Sequence, residues 1–532
     1  MSSSRTAASP RRLAPGARPG RDRRAVLHRA APGADGAAGR RVIVIGGGIA
    51  GLSAASALAD RGVAVTLLEQ EATWGGRARS WDLPGGRSMS RGFHAFFRQY
   101  YTLRALLRRT DPHLEVLRSI GDYPLQLAGG PRDSFRGIPR TPPLSVAAFA
   151  LRSQSFPLRE LARVDVRAAA GLLRTDFPAT FAAHDGRSAQ DLLNALRFPP
   201  QARHLALEVF ARSFFADPRD FSAGELVGMF HTYFMGSAEG LIFDVPREAY
   251  SPALWDPIAQ DLERRGAAVR ARSHVTTIAR DGDGVIVRMT PADDPAGAES
   301  ELRADALVLA TDPRTSRTLL GGMEPAAPRA AWDPWLADVS QERNAPPFAV
   351  LRRWLDRPAA PSAPAFLGTS GFGPLDNVSL LERFEGTAER WARAHGGCVV
   401  ELHAYALPWD APDAAEDVQA ALRAELGRQL EQVRPELRGA RTLHEEWLVR
   451  DDCPLIGTGP WARRPTVRTP DPHLVLAGDW LRTDEPVALM ERAALTGVHA
   501  ANALLNGWGA QGHDWWSVPL RGVLARGGAR RG

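Results

Sequence analysis

Lysine is absent from this chain: all 66 of its basic residues are arginine, a pattern we attribute to coding in a GC-rich genome. No site can therefore draw on a lysine amine. Cysteine is nearly absent too. Cys398 and Cys453 form no C-x-x-C and no metal-ligand spacing, which argues against a disulfide framework and a zinc site and fits a cytoplasmic location. No run approaches the roughly 18 apolar residues of a membrane span. The longest apolar patch near a loop, Leu144-Ser-Val-Ala-Ala-Phe-Ala-Leu151, reads as a buried segment, with a membrane surface as the other option. The net charge of +6 is concentrated in the tails. Residues 1–40 and 521–532, rich in Arg, Ala, Pro, Gly and Ser, are expected to be disordered. The first tail has no clean apolar core of a secretory signal. Either tail could meet anionic lipid headgroups or simply be solvated. The arginines are spread through the chain without a recognised nucleic-acid-binding motif, so no nucleic-acid partner is expected.

What is present is a long globular chain of 532 residues, 44% hydrophobic and 24% charged, enough for more than one domain. Its most informative stretch is Arg41-Val-Ile-Val-Ile-Gly-Gly-Gly-Ile-Ala-Gly-Leu-Ser53. Residues 42–45 read as a buried strand and 49–61 as a helix. Gly46, Gly48 and Gly51 fall between them in G-x-G-x-x-G spacing. Gly46 permits the turn, Gly48 admits a pyrophosphate to the backbone, and Gly51 lets helix and strand pack closely. The helix start offers free N–H groups and a positive dipole end to the phosphates. A second strand, 64–68, ends at Glu69, where a carboxylate can hold ribose hydroxyls. This is a dinucleotide site of Rossmann type in an α/β (α+β) protein.

Gly75-Gly76-Arg77 follows Glu69 closely, and near the far end stands Leu474-Val-Leu-Ala-Gly478-Asp479-Trp, then Pro486-Val-Ala-Leu-Met490-Glu491-Arg. These blocks resemble the flavoprotein family of amine oxidases and carotenoid desaturases. The resemblance implies FAD as cofactor, with Gly76 passing close to its flavin side and Arg77 at the pyrophosphate. Gly478 and Asp479 fall at the ribityl or pyrophosphate part, Met490 on the helix start facing the ring, and Val275 near the adenine. In many amine oxidases of this family a lysine holds a water near the flavin, and this chain has none to offer. The implied architecture is a Rossmann-like FAD-binding domain with a discontinuous substrate-binding domain. FAD-binding parts are expected at 41–110, 263–345 and 441–508, and substrate-domain parts at 111–262 and 346–440, between tails 1–40 and 509–532. Helices are expected at 201–215, at 222–235 behind a Ser222–Glu225 capping box, and at 415–432. Strands are expected at 266–275, 284–290 and 305–310.

Four further blocks narrow the resemblance: Ser90-Arg91-Gly92-Phe93-His94-Ala-Phe-Phe-Arg-Gln-Tyr-Tyr101, Arg212-Ser-Phe-Phe-Ala-Asp-Pro-Arg-Asp220, Gly240-Leu-Ile-Phe-Asp244-Val-Pro246 and the Pro486–Arg492 stretch. They are similar to the isorenieratene synthases, carotene desaturases that aromatise a β-ionone ring while moving a methyl from C1 to C2. The resemblance covers nearly all the chain between the tails. It implies β-carotene as substrate, an electron acceptor of unknown identity, and, because the substrate dissolves in membranes, peripheral attachment to the inner face of the cell membrane. Hydride removal beside a polyene leaves a delocalised cation, a gem-dimethyl carbon can pass a methyl to it, and proton loss restores unsaturation. That proton needs a base. His94 is either a group touching flavin or substrate or a satisfied histidine in an aromatic loop. Glu239 and Asp244, flanked by glycine and apolar residues, are each a candidate base or else a turn acid or cap, the second reading being preferred for Asp244. Arg91 either binds phosphate or pairs with an acid. Phe210, Phe214, Phe215, Phe230, Tyr233 and Phe234 line a tunnel or form core. Another carotenoid desaturase or isomerase, a flavin amine oxidase and a non-catalytic carotenoid carrier remain as alternatives.

Overall fold

The structure is a computed structural model that describes residues 18–155, 157, 164–198, 214–241, 243–325, 327–409 and 414–525. At its centre is a five-stranded parallel sheet in the order Ala268–Arg270, Ala64–Leu68, Arg41–Ile45, Ala306–Leu309, Leu474–Leu476. Val42 to Ile45 are buried on both faces, as a covered parallel sheet demands. One cover is the helix Ile49–Ala59, built of Ala, Gly and Ser apart from Ile49, Leu52 and Leu58. Those small side chains let it cross the C-terminal helix Leu489–Gly507 so closely that a Cβ on Gly497 would lie 2.4 Å from the Ala50 carbonyl. The other face carries an antiparallel sheet of Ser273–Asp281, Gly284–Pro291 and Ser300–Ala304. Sequence patterning reads three strands here. The first is in fact divided at Ala271–Arg272, its two halves joining different sheets, and Ser300–Ala304 escaped notice.

A seven-stranded mixed sheet forms the second layer system, in the order Thr442–Arg450, Phe348–Leu355, Cys398–Ala404, Asn377–Leu380, Phe366–Ser370, Leu125–Leu127, Arg132–Asp133. Its last two strands come from the first inserted segment and the rest from the second, so both insertions share one sheet. The helix Glu416–Val433 packs Leu426 and Leu430 on one face and Gly386–His395 packs Ala388 and Trp391 on the other. The edge strand Thr442–Arg450 belongs to this sheet, so the insertion extends past the expected boundary at 440.

Four other expectations are corrected. Residues 18–40 are not loose: Val26–His28 pairs with Trp515–Ser517, while 1–17 lie outside the described residues. The C-terminal segment is held through Phe177 N–H to the Leu520 carbonyl (3.0 Å) and Leu524 N–H to the Leu173 carbonyl (2.9 Å). Residues 526–532, and the helix expected at 201–215 up to residue 213, lie outside the described residues. The capping box is half formed. Ser222 Oγ accepts from the Glu225 N–H, but the Glu225 carboxylate turns inward to Arg464 and Arg492, each at 2.5 Å. The helix Ala223–Phe230 then widens into a π-helical turn, His231–Met235. Finally, the patch at 144–151 is not buried. It forms the helix Leu144–Arg152 with Leu144 63% and Leu151 69% exposed.

Candidate active site

The phosphate end of the site is bare backbone. Gly46 turns the chain at φ +106°, where a Cβ would lie 2.5 Å from the Ala310 carbonyl. The second glycine pair doubles back against the first: Gly75 N–H donates to the Gly47 carbonyl (2.9 Å), and a Cβ on Gly76 would lie 3.0 Å from the Gly48 Cα. Both turns face the start of Ile49–Ala59, which has no side-chain cap. Uncapped N–H groups beside a cleft that side chains would fill fit a pyrophosphate. Glu69 sits at the end of its strand, its carboxylate accepting from Gly47 N–H (2.6 Å) and Glu71 N–H (2.9 Å). Burial pushes its pKa up, against the pull of those two donors. Ser273 N–H bonds the Glu69 carbonyl at 2.8 Å, and Val275, two residues on, packs on the cluster of Ile43, Ile45 and Leu68.

The far ends of the chain meet at the flavin end. Gly478 N–H donates to Thr496 Oγ1 (3.0 Å), tying the loop after Leu474–Leu476 to the C-terminal helix. Asp479 accepts from Arg77 Nη2 at 2.5 Å, while Arg77 keeps 30% of its side chain accessible. Met490 is half-buried in the first turn of the uncapped helix Leu489–Gly507. Its neighbour Glu491 points away, accepting from Thr102 N–H (2.8 Å) and Leu103 N–H (2.9 Å), and burial pushes its pKa up to about 8.

Arg91 pairs with Asp452, Nη1 to Oδ2 at 2.7 Å and Nη2 to Oδ1, and lies over the Phe348 ring. Of its two readings, pairing is the observed one, and it holds the Asp452 carboxyl below the usual range. His94 is half-buried; its Nδ1 lies 2.8 Å from the Gly92 carbonyl and its backbone N–H donates to Tyr250 Oη (3.0 Å). Burial lowers its pKa to about 4. Glu239 is not brought to these residues. Its carboxylate accepts from Arg21 N–H (3.0 Å), and a Cβ on Gly20 would lie 2.0 Å from its Oε2, so the amino-terminal segment closes over it. Asp244 is no cap either: it bonds Arg98 (3.2 Å) and Arg104 (2.8 Å).

Residues 49–505 match the family described as flavin containing amine oxidoreductase. A carotenoid phi-ring synthase of Streptomyces griseus is 51% identical over 96% of this chain and 96% of its own length. One of Chlorobaculum tepidum is 26% identical over 91% of each. The chain belongs to the flavin-containing amine oxidoreductases, and within them to the carotenoid phi-ring synthases. It is a FAD-dependent oxidoreductase. Cyclohexylamine oxidase from Brevibacterium oxydans (TM-score 0.60) and putrescine oxidase (0.62), each 16% identical over 88% of this chain and 99% of theirs, share the fold.

In this member of the family the loop bearing His94 rests on groups that sequence reasoning passed over. A Cβ on Gly92 (φ +105°) would lie 2.7 Å from His403 Cε1. His403 lies between Glu401 Oε1 (2.8 Å) and Tyr405 Oη (2.5 Å), and Glu401 pairs with its cross-strand neighbour Arg352. That guanidinium, with the His403 bond, holds the Glu401 carboxyl at about 2 against burial. The pattern was visible: Glu401 and His403 alternate along the otherwise apolar strand Cys398–Ala404, and Tyr405 continues the alternation just past its end.

Of the proposed tunnel residues, Phe210 lies outside the described residues. Phe215 packs on Phe348 and Tyr405, next to Arg91. Phe214 packs on Phe221, Phe230 on Phe234, and Tyr233 Oη bonds Tyr100 Oη at 2.5 Å.

Proposed function

We propose that the chain converts the β-ionone rings of β-carotene into aromatic phi-rings, shifting a methyl from C1 to C2. The observation that carries this reading, beside the kinship with phi-ring synthases, is a file of aromatic rings in contact, stacked at its outer end and turned edge-on at its inner end. Phe149, Phe135, Tyr123, Phe243 and Phe93 follow one another at centroid spacings of 4.9, 4.6, 4.8 and 5.8 Å. The file starts on the exposed helix Leu144–Arg152 and ends at the residue before His94. Aromatic faces suit a polyene and stabilise a cationic ring carbon beside them.

When bound, FAD supplies the two-electron acceptor for hydride removal. The protein's own share is to bind and orient. The Gly48–Gly76 cleft with Arg77 would hold the pyrophosphate, Glu69 the ribose, and Asp479 the ribityl or pyrophosphate part. The aromatic file keeps water from the cation. Each ring loses four hydrogens, as two hydride–proton pairs, so each turnover also needs a proton acceptor.

Leu144 and Leu151 on the outer face of their helix, with Arg152 at its end and Arg140 in the segment before it, suit docking on an anionic bilayer from which β-carotene can reach the file. We place the protein on the inner face of the cell membrane for that reason; among the described residues no helix is long and apolar enough to cross a membrane. The acceptor that reoxidises the flavin is a further partner of this reading.

The test is expression in β-carotene-producing cells, with pigments resolved by chromatography, mass spectrometry and NMR. The expected product lacks four hydrogens per processed ring and carries an aromatic end group. Unchanged β-carotene beside a protein that has bound FAD would sink the reading and favour another carotenoid substrate or a carrier.

A further inference from the structure

We propose that His94 Nε2 is the base that removes the ring protons, and that Arg352, Glu401 and His403 are positioning residues for the loop that carries it. This rests on the ring-aromatising reading above.

The first argument is elimination. Asp479 is tied to Arg77, Asp452 to Arg91, and Glu401 to Arg352 and His403. Glu385 accepts from Ser88 Oγ (2.7 Å), and Glu239 is enclosed by Gly20 and Arg21. Each of these carboxylates already has a partner. His94 differs. A carbonyl oxygen can only accept, so the 2.8 Å contact with Gly92 fixes the proton on Nδ1. That leaves Nε2 as the unprotonated nitrogen, and among the described residues it has no partner. The residue is partly buried, short of full enclosure.

The second argument is rigidity. His94 is pinned by its backbone N–H to Tyr250 Oη and by an edge-to-face contact with the Tyr250 ring at 5.4 Å. Behind Gly92 runs a polarised series. Asn377 Nδ2 donates to Tyr405 Oη (3.0 Å), leaving the phenol proton for His403 Nδ1, and His403 Nε2 then donates to Glu401, which Arg352 pairs. Phe93 N–H also points at His403 Nε2 (3.3 Å), so His403 is a fixed wall that both Gly92 and the backbone beside His94 rest against.

The chemistry asks little of the base. A C–H bond next to a delocalised ring cation is strongly acidic. Its electron pair becomes the new ring π bond and its proton passes to Nε2. A weak, neutral imidazole suffices, and it brings no positive charge to a cationic ring. The charged and titratable groups facing it are Arg91, Glu401, His403 and Tyr250. Burial and Arg91 both favour the neutral form, so the proton returns to water between turnovers.

Purified FAD-loaded wild type, His94→Gln and His94→Asp would be compared on β-carotene in detergent micelles. His94→Gln should keep its FAD and its KM while kcat falls about 10²–10⁴-fold, and His94→Asp should recover at least about tenfold. A His94→Gln enzyme within about threefold of wild type, or a His94→Asp enzyme no better than it, overturns the proposal. Acylation of wild type by diethylpyrocarbonate with peptide mapping does not depend on how the variants fold. His94 should be modified, protected by β-carotene, and its modification should track loss of turnover, whereas His403, bonded at both nitrogens, should stay unmodified. An unmodified His94, or modification without loss, also overturns it. If wild type itself forms no aromatic ring, the functional reading fails; if wild type works and His94→Gln works equally, only this proposal does.

Discussion

Arg77 and Asp479, 402 positions apart, meet in an ion pair of 2.5 Å. One stands on the turn that follows Glu69, the other on the loop before the last helix, so the pair joins the two motifs that the flavin reading needs. Burial alone would weaken the guanidinium's charge, and the facing carboxylate outweighs it, so its pKa is raised. An arginine and a carboxylate held together can each turn one donor or acceptor to a ligand without leaving an uncompensated charge.

The pair should therefore govern cofactor retention more than folding. Arg77→Leu and Asp479→Asn should each weaken FAD binding about ten- to a hundredfold, the worth of one charge-assisted hydrogen bond. The readout is flavin absorbance retained after desalting, with far-ultraviolet circular dichroism as the control on the fold. Full FAD retention in both variants would show that the pair only braces the loop.

Two glycines of the motif should fail in different ways. Gly48 has an extended backbone and its Cβ would come no closer than 3.7 Å to any neighbour, so Gly48→Ala fits the folded protein and projects a methyl only into the cleft. It should keep its melting temperature without cofactor and lose FAD. A Cβ on Gly51 would lie 1.8 Å from the Gly46 carbonyl. Gly51→Ala must shift the turn, so it should lose FAD and about 1–3 kcal/mol of stability. Equal melting temperatures for the two would contradict this division.

What the sequence disclosed, and what it hid, follow the range of the interactions. The strand–turn–helix unit from Arg41 to Ala59, Glu69 after it, and the Gly478–Asp479 turn are local patterns, and they stand where the spacing puts them. The helix expected at 415–432 runs Glu416–Val433, because a long periodic segment needs no tertiary partner to be recognised. Glu239 misled because a carboxylate among small residues looks the same whether it faces a cleft or, as here, a segment more than two hundred residues away. The pairing of Val26–His28 with Trp515–Ser517 is equally non-local, and it ordered residues whose composition alone reads as disordered. At Leu144–Arg152 an apolar run reads as buried because burial is what apolar runs usually have. Only the fold shows that Phe149 turns inward while Leu144 and Leu151 do not.

Those two leucines give a direct test of membrane docking. Removing exposed leucines costs the fold little, so Leu144→Ser/Leu151→Ser should melt as wild type does and keep its FAD. Inserting each into a bilayer is worth about 1.5–3 kcal/mol, so the double variant should bind anionic vesicles at least about a hundredfold more weakly. Co-sedimentation with phosphatidylglycerol-containing vesicles measures it. Unchanged binding would move the contact to another surface, and no binding by wild type would remove the docking idea.

Glu491 makes stability depend on pH in a defined sense. Its pKa is near 4.5 in an unfolded chain and is pushed up to about 8 by burial in the native protein, even though two backbone N–H groups favour its charge. Between those values the unfolded chain has released this proton while the folded one still holds it. The unfolded state therefore binds fewer protons, and Glu491's contribution to stability falls as pH rises from about 4.5 to about 8, then levels off. Glu491→Gln is neutral throughout and cannot follow that slope. It loses one of the two backbone contacts, so at pH 5 it should melt below wild type. At pH 9, where wild type carries a buried carboxylate, it should melt above. Crossing melting curves across that range are the expected result. Parallel curves would mean that the carboxyl is ionised in the folded protein and capped by Thr102 and Leu103 in the ordinary way.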